Sequence, residues 1–423
     1  MKIAIVGAGL AGLCAAKALL DVQAGEITVF ERREGPGLET SHANGALLHP
    51  SAVDPWNSPG ILGVLLRNLG NPNAAVLLRP RALPSLLGWG WRFVRESAPA
   101  RHRSHTLANV ALALHSVRLM RTLRDEGIAY GAEQRGALMT HRDAASLAKA
   151  RAWSVMLAEH GVPSRVLSRD ELVAAEPALA PVAGQLAGAV HNLGDESGDA
   201  YRFCMALTPH LQARGVTFRW SCAVAALQGD RRAVHGLVLA DGSTPSFDAI
   251  VLAAASWSTA LAAPLGLALP VRPAKGYSLT LDLPASGPRP RTPVIDNALH
   301  IAVVPVVGDR LRVAGTAEFC GFDHRLDATR VGNLQRQLER VYPALAAQVQ
   351  RSGVQAWTGL RPLCADGKPL IGATRLRGLF LNTGHGQLGW TTGAGSGHLL
   401  ASLMTGQEPA LDAAPYAPSR FGL

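Results

Sequence analysis

The first residues able to do chemistry are three glycines, Gly7, Gly9 and Gly12, in the run Gly7-Ala8-Gly9-Leu10-Ala11-Gly12. A β-branched run, Lys2–Val6, precedes them and an Ala/Leu-rich stretch, Leu10–Leu20, follows. In a strand–turn–helix of this kind the first glycine permits the tight turn. The second lets a pyrophosphate approach the backbone, and the third lets helix and strand pack closely. The helix N-terminus then offers free N–H groups and a partial positive charge to phosphates. A second strand, Glu26–Phe30, runs into Glu31 about 20 residues beyond the turn, where an acid meets both ribose hydroxyls and disfavours a 2′-phosphate. The chemistry is dinucleotide binding, and the 2′-phosphorylated nicotinamide cofactor is disfavoured.

A second glycine cluster lies near the other end, in Gly384-His385-Gly386-Gln387-Leu388-Gly389-Trp390-Thr391. It precedes an apolar stretch that reads as a helix, Thr391–Met404, so its backbone N–H groups can face an electron-rich ring edge. Together with Arg32 and Arg33 after the acid, it favours FAD over NAD.

The elements that must hold these groups follow from periodicity. Leu107–Glu126 and Arg202–Ala213 have helical spacing. Val216–Trp220, Phe247–Ala253 and Leu379–Asn382 read as strands of the nucleotide-binding sheet. Tyr277–Leu283, His300–Val307 and Arg310–Gly315 alternate like antiparallel strands. The expected class is α/β: a Rossmann-like FAD-binding domain with an inserted α+β substrate domain on a mainly antiparallel sheet. The expected FAD-binding segments are 1–85, 196–268 and 355–423, and the substrate segments are 86–195 and 269–354.

Bulk properties narrow the class. The chain has 423 residues, 48% hydrophobic and 17% charged, enough for more than one core and too apolar for disorder. A net charge of +10 favours anionic partners, yet no zinc-finger spacing or basic tail suggests nucleic acid, and none is expected. Cys14, Cys204, Cys222, Cys320 and Cys364 are scattered without a CxxC pair, so neither a disulfide framework nor a metal site is expected and a reducing compartment fits. Ile3–Leu20 lacks the features of a signal peptide. No other stretch is long and apolar enough to span a bilayer.

These motifs, with others in order along the chain, resemble the D-amino acid oxidase superfamily of flavoproteins and, within it, the dehydrogenase branch. They are VGAGLAG (Val6–Gly12), GLETSHANGALLHPSAVDPWNSPG (Gly37–Gly60), GDESGD (Gly194–Asp199) and PAKGYSLT (Pro273–Thr280). GTAEFCGFD (Gly315–Asp323), WTGLRPLCADGKPLIGAT (Trp357–Thr374) and LNTGHGQLGWT (Leu381–Thr391) complete the series. The resemblance implies oxidation of a D-amino acid by hydride transfer from its α-carbon to flavin N5, the imine then hydrolysing to a 2-oxo acid and ammonia. It assigns the substrate carboxylate to Arg361 of the GLRP motif, whose planar guanidinium can hold a carboxylate bidentately. It places Tyr277 in the substrate cavity, Ser41 on the flavin or a phosphate, and Val224 against the adenine. It extends the cofactor contacts to Asn44, Gly45, Ala254, Trp257 and Gly359.

The chain departs from the pattern in three places. Leu299-His300 stands where the dehydrogenases often carry a tyrosine, leaving the second carboxylate contact open, with His300 as the available donor. Asn44-Gly45-Ala46-Leu47-Leu48-His49 is more apolar than usual, and brings His49, like His385 in the glycine loop, forward as a pocket residue. Cys364 replaces a usual threonine. Sarcosine oxidases attach flavin to a cysteine near this region, whereas here a packing role and non-covalent FAD are expected.

The arginine- and tryptophan-bearing stretch Ala74–Arg103 suits an anionic membrane interface or, equally, a core helix with a solvated basic face. The expectation is a protein on the cytoplasmic face of the membrane that hands electrons to a quinone. Two alternatives stay open: a sibling acting on glycine, sarcosine or D-hydroxyproline, and a non-catalytic flavin-bearing subunit.

Overall fold

The computed structural model describes residues 1–283, 289–347 and 353–423. Two sheets organise the chain. The first has six strands in the order Leu370–Ala373, Leu379–Thr383, Ala249–Leu252, Lys2–Val6, Glu26–Phe30 and Thr217–Arg219. All neighbours are parallel except the first pair. Ile3, Ile5, Ile250 and Val251 are fully buried, as continuous apolar strands of a sheet covered on both faces must be. Each such side chain contributes roughly 1.5–3 kcal/mol by leaving water.

One face carries the helices Leu10–Asp21, Pro99–Asp125, Ala200–Ala213 and Gly389–Thr405. The last packs on the first two through small residues. A Cβ at Gly397 would lie 2.5 Å from the Cys14 carbonyl, and one at Gly395 2.9 Å from the Leu112 carbonyl oxygen. The opposite face is covered by the hairpin Val224–Gly229 and Val234–Leu239.

The second sheet is larger and mainly antiparallel. Its spine is Val271–Asp282, paired with Val354–Cys364 on one side and Arg310–Phe319 on the other. Ile301–Val306, Val294–Asp296, Ala137–His141, Gly188–Asn192 and Ser164–Leu167 continue it. Helix Ala328–Val341 closes one face through Leu334 and Leu338. The short helix Ile61–Arg67 and the longer Leu83–Arg95 cover a second cluster around Phe319 and Leu363.

The expected elements are present with shifted ends. The first long helix begins at Pro99 instead of Leu107, because proline is favoured in a first helical turn and the polar run after it shows no apolar period. The strand expected at Tyr277 begins at Val271, where Pro273 interrupts the alternation without ending the pairing. Sheet membership also cuts across the expected segments. Val76–Leu78 pairs with Arg310–Phe319, and Val354–Cys364 lies wholly in the second sheet. Helix Pro99–Asp125 packs with the nucleotide-sheet helices through Leu112, Val117 and Met120.

Candidate active site

A cavity of about 1020 Å³ runs from the glycine turn, between the sheets, to Arg361. At its nucleotide end Gly7 has φ +109°, and a Cβ there would meet the Ala253 carbonyl oxygen at 2.8 Å. A Cβ at Gly12 would collide with the Gly7 carbonyl oxygen. These positions admit only glycine, as the turn requires. The Ser41 hydroxyl accepts from Leu10 N–H at 3.3 Å, on the first turn of the helix. Glu31 accepts from Ala8 N–H at 2.8 Å through Oε2 and from Arg33 N–H at 2.9 Å through Oε1. Two backbone donors thus orient the acid at the cavity wall.

Gly7, Gly9, Leu10, Ala11, Glu31, Arg32, Val224, Ala254 and Trp257 all line this end. The Arg32 guanidinium lies 3.9 Å over the Trp257 ring while also donating to Glu39 at 2.6 Å. Ala8 and Gly12 are behind the wall, acting through backbone and packing.

In the middle, Ser41, Asn44 and Gly45 line the cavity. The loop around them is pinned to the second sheet: Ser278 donates to the Ala43 carbonyl at 2.6 Å and Arg312 to the Asn44 carbonyl at 2.8 Å. Ala46 is held at φ +56°, a left-handed conformation that costs a non-glycine residue about 1 kcal/mol or more. From the other side come Gly359, His385, Gly386, Gln387, Gly389 and Trp390. Gly384, Leu388 and Thr391 do not line it. Gly384 backs onto Cys364, Leu388 packs with Val53 and Val110, and the Thr391 hydroxyl accepts from His49 N–H at 3.2 Å.

Arg361 stands at the far end. Its Nη1 donates to the Thr316 carbonyl at 3.2 Å, and its guanidinium carbon lies 5.4 Å from the Trp56 ring centre. No carboxylate pairs with it among the described residues. Burial pulls its pKa down to about 10, so it stays charged at neutral pH. A half-buried cation held by one carbonyl and one ring face is undercompensated, and an anion entering the cavity repairs that. Gly276 makes the position possible, since a Cβ there would sit 2.5 Å from Arg361 Nη1.

The other expected catalytic side chains divide. His49 and His385 line the cavity, and burial pushes both imidazoles down to about 4, leaving them neutral. His385 Nε2 is 3.0 Å from the Ser396 hydroxyl, whereas His49 Nδ1 is buried without a partner among the described residues. His300 also borders the cavity, at φ +52° in the turn before Ile301–Val306. Burial again lowers its pKa, against Asp296, which raises it.

Tyr277 corrects the expectation in part. Its ring borders the cavity, but its hydroxyl donates to Glu318 at 2.7 Å, and Glu318 in turn accepts from Arg79 at 2.7 Å. The phenol therefore serves a buried polar network. Cys364 does not line the cavity. Its thiol is pushed well up by burial and lies 3.8 Å from the Arg420 guanidinium, which agrees with packing.

Two residues went unassigned in the sequence. Asp54 lines the cavity, and desolvation raises its carboxyl pKa, with His102 opposing. Arg312 is buried, its Nε has no partner among the described residues, and burial pulls its pKa down to about 10 despite Asp199. Asp54 lies inside the Gly37–Gly60 motif and was legible as a residue. Arg312 sits in an ordinary alternating strand and had no signal.

A parallel sheet with a glycine turn, an oriented acid and an anion-seeking arginine in one cavity defines a dinucleotide-dependent oxidoreductase. The model of the FAD-dependent oxidoreductase family matches residues 2–403, and the chain belongs to that family, with FAD as its cofactor. It is 41% identical over 425 residues to a D-amino acid dehydrogenase of Paramagnetospirillum magneticum, covering 100% of this chain and 99% of that protein. It is 40% identical over 425 residues to another from Methylobacterium radiotolerans, covering 100% of both. Among solved structures, glycine oxidase from Geobacillus kaustophilus superposes with a TM-score of 0.79 at 26% identity, over 99% of this chain and 98% of that one. L-proline dehydrogenase from P. horikoshii shares the fold, with a TM-score of 0.79 at 17% identity over 99% and 97%.

Proposed function

We propose that this chain oxidises D-amino acids to 2-oxo acids and ammonia and passes the electrons to a membrane quinone from a peripheral position on the cytoplasmic face. The observation that carries the substrate reading is Arg361, a cation with no carboxylate partner among the described residues, in the cavity that begins at the dinucleotide turn. Its relatives named for D-amino acid dehydrogenation support the same reading. FAD fits the site: the glycine turn, Glu31 and Ser41 would hold its nucleotide half, and the Asn44–Leu47 and Gly386–Trp390 segments its ring. When bound it supplies the two-electron acceptance that removes hydride from the substrate α-carbon.

The chain's own residues do the rest. Arg361 holds the carboxylate and thereby restricts how the α-carbon can sit against the ring, and such positioning contributes to lowering the barrier. Neutral His49 and His385 add no positive charge where an amine must enter. The test is anaerobic bleaching of the bound flavin by matched D- and L-amino acids. Bleaching by the D-isomers alone is expected, and failure of every D-isomer refutes the substrate. Peroxide yield under air tests the acceptor, since stoichiometric peroxide would make this an oxidase.

A further inference from the structure

Soluble helices turn polar residues outward, and two helices here do the opposite. On Ile61–Arg67 and its extension, Leu62, Leu66 and Leu69 are 50%, 63% and 42% exposed at helical spacing. On Leu83–Arg95, Leu87 and Trp91 are 71% and 62% exposed, four residues apart. Both helices cover one apolar cluster with their inner faces, through Ile61 and Val64 on the first and Trp89 and Phe93 on the second. Their outer faces therefore both point away from that shared cluster. An isolated bridge between Leu69 and Leu78 ties the first helix to the strand leading into the second.

Arginines outnumber acids along this stretch, though Glu318, Asp323 and Asp327 from elsewhere in the chain pair with some of them. Between residues 61 and 103 the acid is Glu96 alone, against arginines at 67, 79, 81, 92, 95, 101 and 103. Arg67, Arg81 and Arg95 are exposed beside the apolar stripe, Arg81 and Arg95 while contacting Asp323 and Glu96. The first helix is also a single wall, because Ile61, Val64 and Leu65 line the cavity on its other side.

We infer that the outer faces of Ile61–Arg67 and Leu83–Arg95 form a docking surface for an anionic lipid bilayer. Leu62, Leu66, Leu69, Leu87 and Trp91 enter the acyl boundary and the arginines meet the headgroups. The surface rests on the proposed membrane acceptor for its purpose, and gives that acceptor a route: a lipid-dissolved molecule has one helix between it and the cavity.

The test is flotation of the FAD-loaded protein with vesicles of phosphatidylcholine alone or mixed with phosphatidylglycerol. The protein should float with the mixed vesicles and dissociate as salt rises. Leu66→Asp with Leu87→Asp should lower the bound fraction about tenfold or more, since each puts a charge where the bilayer boundary would lie. Oxidation of D-alanine with a soluble dye should be unchanged in that variant, because neither side chain lines the cavity, while turnover of quinone embedded in the vesicles falls. Equal flotation of variant and parent, equal flotation on phosphatidylcholine alone, or no flotation of the parent overturns the inference. So does a dimer of the parent in sedimentation that the variant splits, which would make this face a contact between copies. Flotation needs no turnover, so a wrong substrate leaves this result standing.

Discussion

Replacing Arg361 by alanine separates a substrate-binding arginine from a structural one, because the two roles predict opposite stability effects. The guanidinium makes one protein hydrogen bond, to the Thr316 carbonyl, and one loose contact to the Trp56 face. Against that stands the cost of holding a charge away from water, which has already pulled its pKa down to about 10. In the substrate-free protein Arg361→Ala should therefore be neutral or mildly stabilising, within about 1 kcal/mol. With substrate the balance reverses. Removing one partner of a buried hydrogen-bonded charge pair costs about 2–5 kcal/mol. That corresponds to a loss in kcat/KM of roughly thirtyfold to several thousandfold. Arg361→Lys keeps the charge but loses the planar fork, so its loss should fall between parent and alanine. Thermal melts with and without D-alanine, dye-coupled kinetics and the flavin absorbance spectrum test this together. If Arg361→Ala keeps kcat/KM within about threefold of the parent, or melts far below it with an unaltered kcat/KM, the carboxylate assignment is refuted.

Glu31→Ala removes the acceptor of two backbone N–H groups and the proposed ribose contact, so FAD should be lost on dialysis with an affinity at least about tenfold weaker; flavin retained as in the parent would count against it. Asp195, buried against Ser51 Oγ at 2.5 Å, has its pKa raised to about 7 by desolvation. A raised carboxyl pKa stabilises the fold below the unfolded value near 4 and loses that contribution as pH rises through about 7. Asp195→Asn should flatten this fall and raise the melting temperature above pH 7 by about 2–4 °C, which melts from pH 5 to 8 will show. Gly397→Ala forces a methyl to within 2.5 Å of the Cys14 carbonyl, so it should destabilise by about 1–3 kcal/mol in denaturant melts. Asp54→Asn removes a carboxylate from the cavity wall, and kcat/KM for D-glutamate should rise relative to D-alanine; an unchanged ratio places Asp54 away from the substrate.

The nucleotide half was legible in the sequence because its constraints are local. A glycine turn, the strand before it, the helix after it and the acid on the next strand lie within the first 31 residues, and backbone sterics dictate their types. The same locality revealed the Gly384–Trp390 loop, though not which members face inward. That choice falls to packing: Leu388 joins an apolar cluster and Gly384 backs onto Cys364, whereas Gly386 and Gly389 reach the cavity.

Local sequence is enough to specify a dinucleotide site and to mark one arginine in a recognisable motif. That Arg361 has no counter-ion among the described residues follows from packing alone, because its neighbours Gly276, Thr316 and Trp56 arrive from distant parts of the sequence and no acid arrives with them. Packing also gave the Tyr277 hydroxyl to Glu318, since the paired strands fix side-chain neighbours that no local pattern encodes. The apolar residues of Leu83–Arg95 were visible as letters. That Trp89 is buried and Trp91 exposed depends on which face of the helix the sheet takes, and burial is a property of the assembled surface.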